Sequence, residues 1–174
     1  MKFLSLIGFI STILFLFACA SSPNQETHYF VLNPNQSAGK NTVLSAGEID
    51  FQNIQLAKFL DQPGIVLQTD QHKVEIASFH RWAEPLKKNI HRYVSQSTGI
   101  TANKGSAQRL EINILQFHGT QDGLALVSGY WKLDNVLHSF SYQAPLEEPG
   151  YAELVKQLAI LLDQLCADIA AQIN

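Results

Sequence analysis

Residues 109–144 constrain the fold more than any other stretch of the chain. "RLEINILQF" (109–117) alternates apolar side chains at Leu110, Ile112 and Ile114, the period-2 pattern of a strand with one buried face. The apolar phase slips over Leu115–Phe117, as a β-bulge requires. "HGTQDG" (118–123) supplies turn residues, Asp122-Gly123 among them. "LALVSGYWKL" (124–133) follows and is apolar on both faces, which places it inside a sheet rather than at its edge. Asp134-Asn135 makes a tight turn into "VLHSFSYQA" (136–144). Strands joined this closely pair antiparallel, and their apolar face must be covered. The cover comes next. After "PLEEPG", Leu154, Leu158, Leu161, Leu162, Leu165, Ile169 and Ile173 form one helical stripe. Glu147 and Glu148 stand near its N-terminal end, where negative charge is favoured. Cys166 lies beside the stripe and reads as a small core filler.

Upstream, "HYFVLN" (28–33) reads as a strand and "PNQSAGKN" (34–41) as a loop. "TVLSAGEIDF" (42–51) and "NIQLAKFL" (53–60) read as two further extended segments. "DQPG" (61–64) is a turn, and 65–77 a hairpin with its tip at Asp70-Gln71-His72. Trp82, Leu86, Ile90, Tyr93 and Val94 recur at helical spacing, which predicts a helix over Trp82–Ser97 with Pro85 in its first turn and Gly99 as its stop. On that helix Arg81 and Glu84 would stand within ion-pair reach. Strands, helix, three strands, helix, with no alternating βαβ run, predict a single α+β domain: an antiparallel or mixed β-sheet with two main helices packed on one face.

The first twenty residues do something else. One positive charge, Lys2, precedes an apolar run from Phe3 to Ala18. A membrane-spanning helix needs roughly 20 apolar residues, so this run reads as a cleaved signal segment. Leu16-Phe17-Ala18-Cys19 resembles a bacterial lipobox, with a bulky Phe17 at −2. The resemblance implies a diacylglyceryl group on the Cys19 thiol, a cut before Cys19 and acylation of the new amine. Thiolate nucleophilicity is what makes cysteine fit for that step. Ala20, rather than Asp, follows the sorting pattern of lipoproteins sent to the outer membrane. The chain thus divides into a signal peptide (1–18), a lipidated tether (19–27) that includes "ASSPNQET", and a domain (28–174).

Removing residues 1–18 leaves 156 residues with 11 basic and 15 acidic side chains, a formal net charge of −4. A mildly acidic chain without a basic cluster does not read as a nucleic-acid binder. Cys166 is the only other cysteine; with Cys19 a thioether, no disulfide is expected. The six histidines, at 28, 72, 80, 91, 118 and 138, show neither HxH nor HExxH spacing and read as solvated or capping residues, not metal ligands. GxSxG, SxxK and GxxxxGK are absent from the sequence. Neither catalytic residues nor a cofactor are expected.

The most informative stretch is 56–94. Leu60-Asp61-Gln62-Pro63 with Ile65-Val66, then Arg81-Trp82-Ala83-Glu84-Pro85-Leu86 and Arg92, resemble the PqiC-type family, the ABC-transport auxiliary or paraquat-inducible C lipoproteins. Phe59 and Gln62 depart from the tyrosine and arginine usual there. The "CASSP" start, the "HYFVL" strand and the long last helix also fit. The resemblance implies a non-enzymatic, outer-membrane-anchored subunit, facing the periplasm, of a lipid-transport system. Its implied partners are an MCE-domain tube protein and an inner-membrane component, the cargo phospholipid and the outcome envelope integrity. A homo-oligomer matching a ring-shaped partner is compatible with it. The candidate partner-binding residues are Asp61, Pro63, Arg81, Trp82 and Glu84. Packing of the helix is the competing role for Trp82, and local structure for Asp61, Arg81 and Glu84. The strand 124–133, apolar on both faces, leaves open a second reading, a lipid carrier with its own apolar cavity. A hydrolase, for want of any motif, comes last.

Overall fold

The computed structural model describes residues 25–34, 49–100 and 108–173. The signal peptide, Cys19, Ala20 and most of the tether lie outside the described residues, as do positions 35–48 of the expected loop and second strand. The described residues form one mixed sheet of seven strands: β1 (His28–Phe30), β2 (Ile49–Leu56), β3 (Gly64–Asp70), β4 (Lys73–Trp82), β5 (Gln108–Thr120), β6 (Leu124–Leu133) and β7 (Val136–Pro145). Two helices, α1 (Leu86–Thr98) and α2 (Tyr151–Ile173), complete the domain. The expected α+β class, with a mixed sheet, is the observed one.

β5 is the spine. One edge pairs antiparallel with β6 from Leu110↔Leu133 to Gly119↔Ala125. The other edge is shared. Its first half pairs parallel with β2, from Ile49↔Gln108 to Leu56↔Ile114, and its end pairs with β3 at Leu67↔Gly119. Between them a 3-10 turn, Lys58–Leu60, steps away from β5. The order β1-β4-β3-β5-β6-β7 follows.

The 109–144 region folds as its pattern demands. The register between β5 and β6 shifts between Ile114 and Gln116, so Leu115 is the extra residue of the bulge and points to solvent. Leu133↔Val136 closes a two-residue turn between β6 and β7. There Asp134 adopts a positive φ of 54°, a conformation that Asp tolerates better than most residues. Its carboxylate Oδ1 accepts the Arg109 N–H at 2.9 Å.

The stripe of α2 is buried from Leu154 through Ile169. α2 packs on β5, β6 and β7, and α1 packs on β2 and on α2. Tyr93 locks the two helices together: its hydroxyl meets the Ala159 carbonyl at 2.9 Å and Asp163 Oδ1 at 2.8 Å. Each fully buried leucine contributes about 1.5–3 kcal/mol by removal from water.

Two local expectations are corrected. The first helix begins at Leu86, not Trp82. Pro85 sits just before it at φ −49°, ψ 128°, and the residue before a proline is steered out of the helical region. Trp82 instead ends β4. Its spacing to Leu86 and Ile90 matched a helix because strand end and helix face the same core. The two extended segments at 42–51 and 53–60 meet within one strand, β2, whose register shifts between Phe51 and Asn53. Gly99, at φ 74°, does stop α1.

Candidate functional site

The motif residues converge where the chain enters the domain. β1 lies parallel to the end of β4, with His28↔His80, Tyr29↔Arg81 and Phe30↔Trp82. The Trp82 N–H donates to the Pro63 carbonyl at 2.8 Å, and the Ala83 N–H to the Phe30 carbonyl at 2.9 Å. The "LDQP" turn and the "RWAEPL" segment thus grip each other and the first strand.

One residue further on, α1 takes over. The buried Asn89 accepts the Leu32 N–H through Oδ1 at 3.2 Å. Arg92 closes the corner: Nη2 reaches Glu84 Oε1 at 2.7 Å, Asn89 Oδ1 at 2.9 Å and the Leu32 carbonyl at 3.4 Å. Its Nε also donates to Glu84 Oε1, at 3.1 Å. Lys88 adds a looser contact to Glu84 at 3.5 Å. The hydrogen bonds from Arg92 hold the Glu84 carboxyl below its ordinary pKa, against a smaller opposing effect of burial. A charge-assisted pair of this kind orients as well as attracts.

The five candidate residues therefore divide. Trp82 is buried and its ring lies 6.0 Å from that of Phe117, a packing position. Glu84 is engaged by Arg92, eight residues on, not by Arg81 as the expected helix would have had it. Asp61 and Pro63 are exposed and Arg81 is half-exposed. Asp61 closes the 3-10 turn through its backbone N–H to the Lys58 carbonyl. Sequence reasoning quoted Arg92 without giving it a role and missed Asn89. The signal was a buried-side amide and a guanidinium three residues apart on an otherwise apolar helix face.

His28 and His72 are exposed, as expected of solvated groups, but the other four are half-buried or buried. His80 stacks on Tyr151 at 3.9 Å and on His28 at 5.4 Å. His91 stacks on Phe51 at 4.6 Å, and His138 on Trp131 at 4.0 Å. His118 is buried; Nδ1 lies 3.0 Å from the Gly119 carbonyl and donates to it, while burial lowers its pKa. Only His72 sits free at the exposed hairpin tip. Among the described residues these rings never gather in threes with other metal-binding side chains. His80 and His91 stack across strand–helix joints and His138 across a strand pair, as flat, half-polar rings. Burial, with the nearby Asp163 charge, pushes the Cys166 thiol up to about 12, consistent with a core filler. Glu147 meets Lys156 at 2.7 Å beside the first turn of α2.

The corner knits the segment around β1 to the end of β4 and the start of α1 on this mixed sheet. The chain is a member of the ABC-type transport auxiliary lipoprotein component family, whose model matches residues 30–170. It is 29% identical, over 92% of its length and 93% of theirs, to proteins named intermembrane transport lipoprotein PqiC from Escherichia coli (strain K12) and Shigella flexneri. Solved structures share the fold. A crystal structure of an uncharacterized protein superposes with a TM-score of 0.74 at 23% identity, covering 86% of this chain and 99% of its own. Protein XCC0632 from Xanthomonas campestris gives 0.65 at 16% identity, over 82% and 92%. The named relatives are transport lipoproteins rather than enzymes. No helix among the described residues is long and apolar enough to cross a membrane.

Proposed function

We propose that the chain is a periplasmic lipoprotein, anchored in the outer membrane through Cys19, that serves an MCE-type system moving phospholipid between membranes. In this role it docks a tube-forming MCE-domain partner, itself linked to an inner-membrane component, and so maintains the envelope. The observation that carries the reading is the clamp of Asn89, Arg92 and Glu84 on the segment after the tether. It makes the domain a body held at a fixed entry point, as an anchored docking subunit needs. Family membership and the relatives' names support it. Asp61 and Pro63, exposed, and Arg81, half-exposed, stand around the same corner and are the residues offered to a partner; Trp82 and Glu84 hold them in place. The test is recovery of partners from detergent-solubilised envelopes, wild type against Cys19→Ala, with acyl chains read in the same samples. An acylated wild type that recovers an MCE-domain protein is the expected result. An acylated chain that recovers none would sink the docking role.

A further inference from the structure

Nine large apolar side chains are exposed among the described residues, and five of them lie together on β1 and β4 or next to them. They are Tyr29 (64% exposed), Val31 (39%), Val74 (42%), Ile76 (46%) and Phe79 (38%). The register explains why they share a face. Tyr29 pairs with Arg81 and Val66 with Ile76, while Gly64 pairs with Arg81. The register shift between Gly64 and Val66 carries Ile76 onto the face of Arg81; period-2 alternation on either side of it sets Phe79 with Arg81 and Val74 with Ile76, and Val31 follows two residues after Tyr29. Phe30, Leu32 and Trp82 turn the other way, into the core. β1 covers only positions 80–82 of β4, so among the described residues the stripe runs along a strand whose outer edge is unpaired from Lys73 to Phe79.

The position of this stripe relative to the tether identifies its occupant. Eight residues, 20–27, separate Cys19 from β1. The nine chain steps from Cys19 to His28 cannot exceed about 32 Å. Tyr29 is the first exposed aromatic after them. Anchored by Cys19, the domain keeps its Tyr29 end within that reach of the bilayer. The chemistry suits an interface: an aromatic ring with a polar tip, a phenylalanine and aliphatic side chains are flanked by the cation Arg81. Arg81 has no ion-pair partner among the described residues.

We infer that the Tyr29–Val31–Val74–Ile76–Phe79 stripe rests on the phospholipid headgroups of the membrane that holds the anchor. The stripe orients the domain, where the tether alone would only confine it. This rests on the lipid-anchored reading above but not on the identity of any partner.

The test uses the full acylated chain, one copy per nanodisc of phosphatidylethanolamine and phosphatidylglycerol, with Ile, Leu and Val methyls labelled. A trace of lipid bears a gadolinium chelate on its headgroup. Val31, Val74 and Ile76 report the stripe, and Leu115, Val136 and Leu137 report the other exposed positions. Relaxation of the first three at least fivefold faster than the second three is expected. Tyr29→Ser combined with Phe79→Ser should bring the six rates together while the buried Ile112 methyls keep their shifts. Even relaxation of all six in the wild type would overturn the inference, as would preferential relaxation of Val136 and Leu137. A stripe effect that needs two copies per disc would also overturn it, in favour of self-association. Partner recovery is a separate readout, so failure of the docking role and failure of this surface are distinguishable.

Discussion

At the scale of single residues, the side chain that matters most in the entry corner is Arg92. It is the one cation that bonds Glu84, Asn89 and the Leu32 carbonyl together. Arg92→Met keeps most of the length and removes the donors. Leaving partly buried acceptors unpaired costs about 1.5–3 kcal/mol for hydrogen bonds to a charged group, read as a lower urea midpoint with an unchanged slope. The pH dependence has a definite sign. The folded-state pKa of Glu84 is lowered, so its contribution is full above the ordinary carboxylate value and is lost as pH falls through the folded one. The stability gap between wild type and Arg92→Met should therefore narrow as melts are taken below about pH 4.5. A gap that stays constant into acid would place the contribution of Arg92 in packing instead. Cys166 offers a second check. Burial that raises its pKa to about 12 keeps the thiolate scarce at pH 8, and burial also blocks access. A thiol reagent should find essentially no free cysteine in the native, acylated chain and one after denaturation.

At the scale of elements, β5 and β6 approach so closely that one hydrogen atom decides the packing. A Cβ built on Gly129 would lie 2.0 Å from the Asn113 carbonyl oxygen and 3.1 Å from Phe140 Cζ. Gly129→Ala must part the two central strands, and overpacking of this kind costs about 1–3 kcal/mol. Each kcal/mol should lower the Tm by about 2–4 °C in a domain of this size. Gly99→Ala is the control: space around it is open, so only its left-handed backbone resists, at roughly 1–2 kcal/mol. A Gly129→Ala variant as stable as wild type would mean the strands can separate without loss. The elements were legible where one physical rule governed them. Alternation alone marked β5, turn chemistry marked the β6–β7 hairpin, and the phase slip at Leu115 marked the bulge. The start of α1 was misread because Trp82 obeys the helical period while belonging to a strand, and the deciding fact, Pro85, acts on its predecessor. The corner itself was only half legible. Its backbone bonds join residues about 20 to 50 positions apart, Pro63 to Trp82 and Phe30 to Ala83. Parallel pairing of β1 with β4 leaves no local signature, and stacked histidines look like solvated ones until the register places a ring beside them.

At the scale of the whole molecule, the parts divide attachment from fold. The core is drawn from Leu32 to Ala170, so nothing in the first 27 residues contributes to it among the described residues. The expected mature chain carries a net charge of −4, which an anionic membrane repels rather than attracts. In the proposed function, attachment comes instead from acyl chains on Cys19, which two or more make firm, at about 0.8 kcal/mol per buried CH₂. The consequence is a clean separation of two treatments. Washing envelopes with about 1 M salt, which shortens the screening length to about 3 Å, should leave the chain in the membrane pellet. Cleaving a protease site placed within residues 20–27 should release the domain into the soluble fraction, with the circular dichroism and Tm of the intact protein. Release by salt would mean that charge, not acylation, holds the chain. Release with a lowered Tm would mean that the tether, or the bilayer beneath the Tyr29 stripe, stabilises the fold. Retention after complete cleavage would point to the stripe itself gripping the lipid more strongly than an orienting contact should.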